Sequence, residues 1–144
     1  MNLEPFVTFN GNCREAVNFY AKVFRTAAPK FMTFGDGQHG DDMGLSDADK
    51  DHIMYTDLNI FDTEVMFSDN MPGMPFIAGN NISLALITKD EDEIRRLFRE
   101  LGDGGEVGME LQETFWSNLY GMVTDKFGIN WQFSHDSGKL VMGG

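Results

Sequence analysis

The sequence predicts an α+β fold in which two tandem βαβββ modules form curved mixed sheets around a cleft. The order strand, amphipathic helix and three further strands occurs twice, and a cluster of turn-forming residues separates the two occurrences. Because one helix can cover only one face of a four-stranded sheet, each module is expected to bury its other face against its copy. A cleft between two such sheets is a common location for a small-molecule site.

Composition excludes several classes of protein. A chain of 144 residues with 42% hydrophobic content is long and apolar enough for one folded domain. Its 23 acidic and 11 basic residues give a net charge of −12, which repels phosphate backbones and anionic lipids, so we expect no nucleic-acid and no membrane partner. The single Cys13, with no signal-peptide or membrane-spanning pattern, favours a cytoplasmic protein.

The first module is assigned to residues 1–71. A β-rich strand at 5–9 leads into Asn12 and Glu15, which have the spacing of a helix N-cap and its N3 acid. The helix then shows apolar residues at helical spacing, namely Ala16, Phe19, Tyr20 and Val23. The Gly- and Asp-rich residues 36–51 are predicted to be a mobile loop. Further strands are expected at 30–34, 52–60 and 64–68.

The second module is assigned to residues 76–135, after the breaker cluster 69–75, and is followed by a flexible tail at 136–144. Asp90 and Glu93 repeat the cap spacing of the first module. The helix repeats the apolar spacing with Ile94, Leu97, Phe98 and Leu101. Strands are expected at 81–87, 106–113, 119–124 and 129–133.

The last two strands form a hairpin that is rich in aromatic residues. Its turn, residues 125–128, ends in Gly128, which can supply the positive φ of a tight turn. Trp116 and Trp131 both belong to this region. Large aromatic side chains beside a well-defined turn indicate the wall of a cavity as well as part of the core.

These motifs together resemble the PhnB-like branch of the vicinal-oxygen-chelate (VOC) superfamily, which includes glyoxalase I, bleomycin-resistance proteins and extradiol dioxygenases. The resemblance covers nearly the whole chain and implies paired βαβββ modules in a single VOC-like domain, and a homodimer. It rests on Phe9-Asn-Gly-Asn-Cys-Arg-Glu-Ala16 with Phe19-Tyr20, on Phe115-Trp116 and Tyr120-Gly121, and on Asp125-Lys-Phe-Gly128 with Trp131.

The resemblance also implies where a metal would bind. Metal-dependent members take ligands from the first, fourth, fifth and eighth strands, and these places fall at or near Pro5, Met66, Asn81 and Gln132. Only Gln132 matches a known ligand type, and one amide oxygen does not hold a divalent ion. The histidines His39, His52 and His135 lie in or beside the acidic loop or at the end of the last strand. We therefore expect no metal cofactor.

Three other features have both a functional and a structural interpretation. Asp47, Asp49 and Asp51 have the spacing that opens an EF-hand, but the later Gly and Glu are missing, which favours a solvated loop. Cys13 at a helix start could be reactive, yet no histidine lies near it in sequence, which favours a structural role. The strand carboxylates Asp57 and Glu110 become candidate acids or bases if they face the cleft.

The sequence therefore predicts a metal-free small-molecule-binding protein that sequesters or acts on an aromatic or amphipathic compound. The alternative is a divalent-metal-dependent lyase, isomerase or dioxygenase, and a third possibility is a protein-interaction module. No catalytic residue is predicted, and no strand is followed by the Gly-rich turn and helix of a nucleotide site. The predicted ligand-binding residues are Phe9, Asn81, Ser83, Trp116, Tyr120 and Gln132.

Overall fold

The computed structural model describes residues 1–36 and 44–139. The chain forms two compact units, unit 1 from Met1 to Ile77 and unit 2 from Ala78 to Gly144. Among the described residues, no helix has the length and apolar character that a membrane crossing requires.

Unit 1 contains one four-stranded mixed sheet in the order β1-β4-β3-β2. β1 pairs with β4 in parallel, and the other pairs are antiparallel. A single turn of 3-10 helix, Phe34–Asp36, follows β2. The elements are β1 (Phe6–Phe9), α1 (Cys13–Val23), β2 (Met32–Thr33), α2 (Asp47–Asp51), β3 (Ile53–Ile60) and β4 (Thr63–Asp69).

Unit 2 repeats this topology. Its four-stranded sheet has the order β5-β8-β7-β6, again with one parallel pair, β5 with β8. The repeated order confirms the prediction of two βαβββ modules in an α+β fold. The elements are β5 (Leu84–Thr88), α3 (Glu91–Gly102), β6 (Glu106–Gln112), β7 (Tyr120–Thr124) and β8 (Asn130–His135).

The core of unit 1 lies between α1 and its sheet. Tyr20 of α1 stacks on Phe67 of β4 at 5.8 Å between ring centroids, and Phe9 of β1 stacks on the same ring at 6.2 Å. All three side chains are buried. Each ring buried in this way contributes roughly 1.5–3 kcal/mol of transfer free energy. The helical periodicity therefore identified the buried face of α1 correctly.

The core of unit 2 depends on a close approach of α3 to β7. A Cβ added to Gly121 would lie 3.0 Å from Phe98 and 2.9 Å from Leu111. Phe98 in turn packs edge-on against Phe133 at 5.4 Å. Glycine at position 121 thus leaves the room that these larger side chains fill.

The two helices begin in different ways. Asp90 caps α3 as predicted, since its carboxyl oxygen accepts a hydrogen bond from the Glu93 amide at 3.1 Å. Asn12 occupies the predicted N-cap position of α1, but its side chain makes no capping hydrogen bond. Asp69, at the end of β4, takes that place: its Oδ1 accepts from the Gly11 and Cys13 amides, both at 2.9 Å.

Several predicted boundaries differ from the structure. Part of the predicted loop is helical, since Ser46 caps α2 by accepting from the Asp49 amide. β2 has only two residues of the predicted strand 30–34, and β5 begins at Leu84 rather than at residue 81. Residues 37–43 of the predicted loop, which include His39, and residues 140–144 of the predicted tail lie outside the described residues.

The turn between β7 and β8 has the predicted Asp-to-Gly geometry. Gly128 has a φ of 90°, and Asp125 is buried beneath the turn. Asp125 Oδ1 accepts from the Phe127 and Ile129 amides at 2.9 and 3.0 Å. Its Oδ2 accepts from the indole of Trp131 at 2.9 Å. The turn and one of the two tryptophans are therefore held by one carboxyl group.

Candidate functional site

In unit 2, α3 covers one face of the sheet, and the described residues of this unit place no helix on the other face. Gly121, Val123 and Phe133 face α3. A Cβ added to Gly121 would meet Phe98, and a Cβ added to Gly102 would meet Val123. The Phe133 ring packs against the Phe98 ring. Side chains alternate along a strand, so the intervening residues lie on the other face. The residues of β5, β7 and β8 on this helix-free face of unit 2 are Ala85, Ile87, Tyr120, Met122, Thr124, Asn130, Gln132 and Ser134.

Two predicted site residues meet directly on this face. Tyr120 lies opposite Ser134 in the β7–β8 ladder, which places Gln132 diagonally across from it. The Tyr120 hydroxyl donates a hydrogen bond to Gln132 Oε1 at 2.6 Å. Burial raises the pKa of Tyr120, so its phenol keeps the proton that it donates.

Trp116 lies next to this pair. Its ring packs edge-on against Tyr120 at 5.2 Å and against Phe115 at 4.7 Å. The loop that presents Trp116 is fixed, because the fully buried Ser117 donates to the His135 carbonyl at 2.9 Å. Trp116 remains partly accessible, whereas Trp131 is 3% exposed. The structure thus brings Trp116, Tyr120 and Gln132 together; this group is hereafter called the aromatic–amide cluster.

The other predicted site residues are placed differently. Phe9 belongs to the core of unit 1 and is 2% exposed. Asn81 and Ser83 precede β5, and the Asn81 side chain is exposed. On β5 the residue paired with Gln132 is Ala85. Sequence reasoning placed the start of β5 too early, so it assigned Asn81 and Ser83 to a strand in which they do not lie.

Phe115 was not among the predicted ligand-binding residues. Its side chain is 78% exposed although it is a large apolar ring. The Phe115-Trp116 pair beside a hairpin was the only sequence signal for it, and that signal does not separate a core ring from an exposed one.

Unit 1 carries a hydrogen-bonded acidic group on its own helix-free face. The Tyr55 hydroxyl donates to Asp57 Oδ2 at 2.9 Å, and this bond, with smaller contributions from burial and nearby carboxylates, raises the pKa of Tyr55 to about 12. A hydrogen bond with Asp57, followed by repulsion from its charge, raises the pKa of Glu64. Glu110, the other candidate acid, lies exposed on β6.

Cys13 has the surroundings of a structural residue. Its side chain is fully buried. Burial, with a further contribution from the charge of Asp69 and against a smaller effect of Arg14, raises the pKa of the Cys13 thiol to about 12. A thiol with such a pKa is almost entirely protonated at neutral pH and is a poor nucleophile.

Comparison with known proteins identifies the family. A family model described as 3-demethylubiquinone-9 3-methyltransferase matches residues 1–134. The protein YjdN of Escherichia coli K12 is 31% identical over 142 residues, covering 93% of this chain and 95% of YjdN. This chain belongs to that family, the PhnB-like branch of the VOC superfamily.

Solved structures agree with this assignment. Protein PA1353 from Pseudomonas aeruginosa is 34% identical with a TM-score of 0.83, covering 94% of this chain and 98% of PA1353. A putative 3-demethylubiquinone-9 3-methyltransferase from Bacillus cereus, named PhnB protein, has a TM-score of 0.72 at 24% identity, covering 94% of this chain and 99% of its own. The second likeness concerns the fold alone. The predicted VOC fold is confirmed.

The VOC family implies a metal site that the residues of this chain do not fit. In the parallel ladders, Phe6 lies beside Met66 in unit 1, and Ala85 lies beside Gln132 in unit 2. Phe and Ala have no donor atom, and a thioether is a poor ligand for a hard or borderline divalent ion. The Gln132 oxygen already accepts from Tyr120. These strand positions therefore do not supply a metal-binding donor set.

The two described histidines, His52 and His135, offer no substitute donor set. The His52 ring lies within 3.2 Å of the position that a Cβ on Gly11 would take, and His135 Nε2 lies 3.1 Å from the Lys89 carbonyl. Within residues 1–36 and 44–139, no three His, Cys, Asp or Glu side chains are grouped closely enough to hold a metal ion.

Proposed function

We propose that this PhnB-like protein binds a small aromatic or amphipathic molecule at the aromatic–amide cluster of unit 2, without a metal. The observation that supports this most is the hydrogen bond between Tyr120 and Gln132 beside the accessible ring of Trp116. Ligand sites commonly combine aromatic surface with a small number of placed polar groups. The cluster provides both.

Partial exposure distinguishes the rings of Trp116 and Tyr120 from aromatic residues of the core. Trp131 and Phe133 are 3% and 0% exposed, as expected of side chains that only stabilise the fold. Trp116 and Tyr120 are partly exposed on neighbouring segments. An aromatic ligand can therefore gain contact area with Trp116 and Tyr120 without displacing the core of unit 2.

The name of the family model refers to methyl transfer, and we propose binding instead. At the β1–α1 junction the amides that could receive a cofactor's anionic group are occupied, since Asp69 accepts from Gly11 and Cys13. At the β5–α3 junction four acidic residues, Asp90 to Glu93, begin the helix. Both junctions disfavour an anionic cofactor group, such as the carboxylate of a methyl donor.

A metal-free site and a homodimer are also part of the proposal. Phe6, Met66 and Ala85 lack suitable metal-binding donors, which supports the first. The chain segment 71–82 exposes large apolar side chains, which supports a partner surface: Met71, Met74, Phe76, Ile77 and Ile82. The cytoplasmic location and the cleft between the sheets stay predictions.

Tryptophan fluorescence tests the binding proposal. Because Trp131 is buried, a ligand at the aromatic–amide cluster should change the fluorescence emission of Trp116 and leave the emission of Trp131 unchanged. Titration of a library of aromatic compounds should therefore give saturable changes in the wild type that are absent in Trp116→Phe. If no compound alters the emission, or if Trp116→Phe responds as strongly as the wild type, binding at the cluster is wrong. Metal analysis of protein purified without chelator should show far less than one ion per chain.

A further inference from the structure

The Tyr120–Gln132 pair fixes the direction of one amide group. The Tyr120 hydroxyl occupies Gln132 Oε1 at 2.6 Å, so the amide nitrogen Nε2 points away from the phenol. Among the described residues, none accepts a hydrogen bond from Nε2. The pair thus presents a held N–H donor on the helix-free face of unit 2.

The strands on either side of this donor, β5 and β7, carry no charged side chain on the helix-free face; Glu106 of the more distant β6 lies on this face, opposite Thr124. None of the eight residues that β5, β7 and β8 place on the helix-free face has a formal charge, although the whole chain has a net charge of −12. A charged ligand that lost its hydration here would meet no counter-charge on these strands, which is costly. Met122 and the half-exposed Trp116 offer apolar contact instead. The face therefore favours a neutral ligand.

Resting on the proposed function, we propose that the ligand is an uncharged planar ring compound with a carbonyl oxygen that accepts a hydrogen bond from Gln132 Nε2. The ring of this compound lies against Trp116 and Met122. Gln132 is the specificity-determining residue. Tyr120 is a positioning residue, because it holds the amide with its nitrogen toward the ligand.

Three naphthalene probes separate ring binding from carbonyl recognition. 6-Propionyl-2-(dimethylamino)naphthalene is neutral and has a carbonyl, 2-(dimethylamino)naphthalene is neutral and lacks it, and anilinonaphthalene sulfonate is anionic. Their dissociation constants are measured by probe fluorescence with the full chain. A neutral hydrogen bond is worth about tenfold in affinity, so the carbonyl probe should bind roughly tenfold more tightly than either of the others.

Variants test the role of each residue. Gln132→Leu should raise the dissociation constant of the carbonyl probe roughly tenfold and change that of the probe without a carbonyl less than about twofold. Tyr120→Phe should raise the dissociation constant of the carbonyl probe alone, by about threefold. The Gln132 amide loses its orientation, while the aromatic ring at position 120 remains. Asn18→Leu is the control: it also replaces an amide by leucine, and Asn18 is exposed on α1, which belongs to unit 1. Gln132→Met replaces Gln132→Leu if the latter does not fold.

The outcomes distinguish this inference from the proposed function. Selective loss of carbonyl-probe affinity in Gln132→Leu, with the affinity of Asn18→Leu unchanged, supports it. If Gln132→Leu binds the carbonyl probe as tightly as the wild type, or the sulfonate binds at least as tightly, the ligand class is wrong although ring binding stands. If none of the three probes binds, both this inference and the proposed function fail.

Discussion

Removal of the Asp69 carboxyl group should destabilise unit 1 far more than removal of an ordinary helix cap. Asp69 joins three backbone segments, since its Oδ1 accepts from Gly11 and Cys13 and its Oδ2 accepts from the Ile53 amide at 2.8 Å. The side chain is 3% exposed. One carboxyl group therefore ties the end of β4 to the start of α1 and to the start of β3.

The structure sets the size of the effect. In Asp69→Ala the Gly11 amide can bind water because Gly11 is exposed, whereas Cys13 and Ile53 are 0% exposed. Each buried donor left without a partner costs roughly 1–3 kcal/mol, so two of them give about 4 kcal/mol of lost stability. Asp69→Asn should lose less, because its oxygen can still accept from Cys13 while its NH₂ meets the Ile53 amide.

Two matched variants isolate the cause. Asp90→Ala removes a local cap whose oxygen accepts from Glu93, and it should cost about 1 kcal/mol. Asn12→Ala removes a side chain that makes no capping bond, and it should change stability by less than about 0.5 kcal/mol. Urea unfolding followed by far-UV circular dichroism at one fixed protein concentration gives all four values. A loss below about 1 kcal/mol in Asp69→Ala, or an equal loss in Asn12→Ala, would show that Asp69 does not hold these segments together.

Three further predictions concern other parts of the chain. The Cys13 thiol is buried and its pKa is raised to about 12. It should therefore not react with a dithiobis-nitrobenzoate reagent at pH 8 in the native state, and it should react fully in urea. Rapid reaction of the native protein would contradict the burial of Cys13. Carboxyl NMR should show that Glu64 has a pKa above its ordinary value, and Asp57→Asn should lower that pKa. Because the pKa is raised in the folded state, protonated Glu64 favours folding at low pH. This contribution to stability is lost as the pH rises through the folded-state pKa. Gly121→Ala should cost about 1–3 kcal/mol through overpacking, whereas Gly108→Ala, whose Cβ would lie 3.7 Å from Met122, should be tolerated, and equal melting temperatures would contradict this.

The repeated topology could be predicted because it depends on local patterns. Helical spacing, the Asp90 cap and the turn ending in Gly128 are each decided within a few residues, and the structure confirms all three. The proximity of Tyr120 and Gln132 followed from hairpin pairing, which the turn fixes.

The features that sequence reasoning missed depend on distant residues or on very short elements. The group that satisfies the start of α1 lies 56 residues from Cys13, so no local motif reports it, and Asn12 only resembled a cap. α2 has five residues, too few to show a helical period. The alternation of side chains along β1 does not say which of its faces is buried. The rings of Tyr20 and Phe67 pack against Phe9 and place it in the core.

Chemical-shift mapping with the carbonyl probe tests the central proposal most directly. The protein is labelled at methionine methyl groups and glutamine side-chain amides, and 6-propionyl-2-(dimethylamino)naphthalene is added stepwise to metal-free protein. We expect saturable shifts of the Met122 methyl and the Gln132 amide, both on the helix-free face of unit 2. Saturable shifts confined to residues elsewhere, with the Met122 and Gln132 signals unchanged, would contradict it.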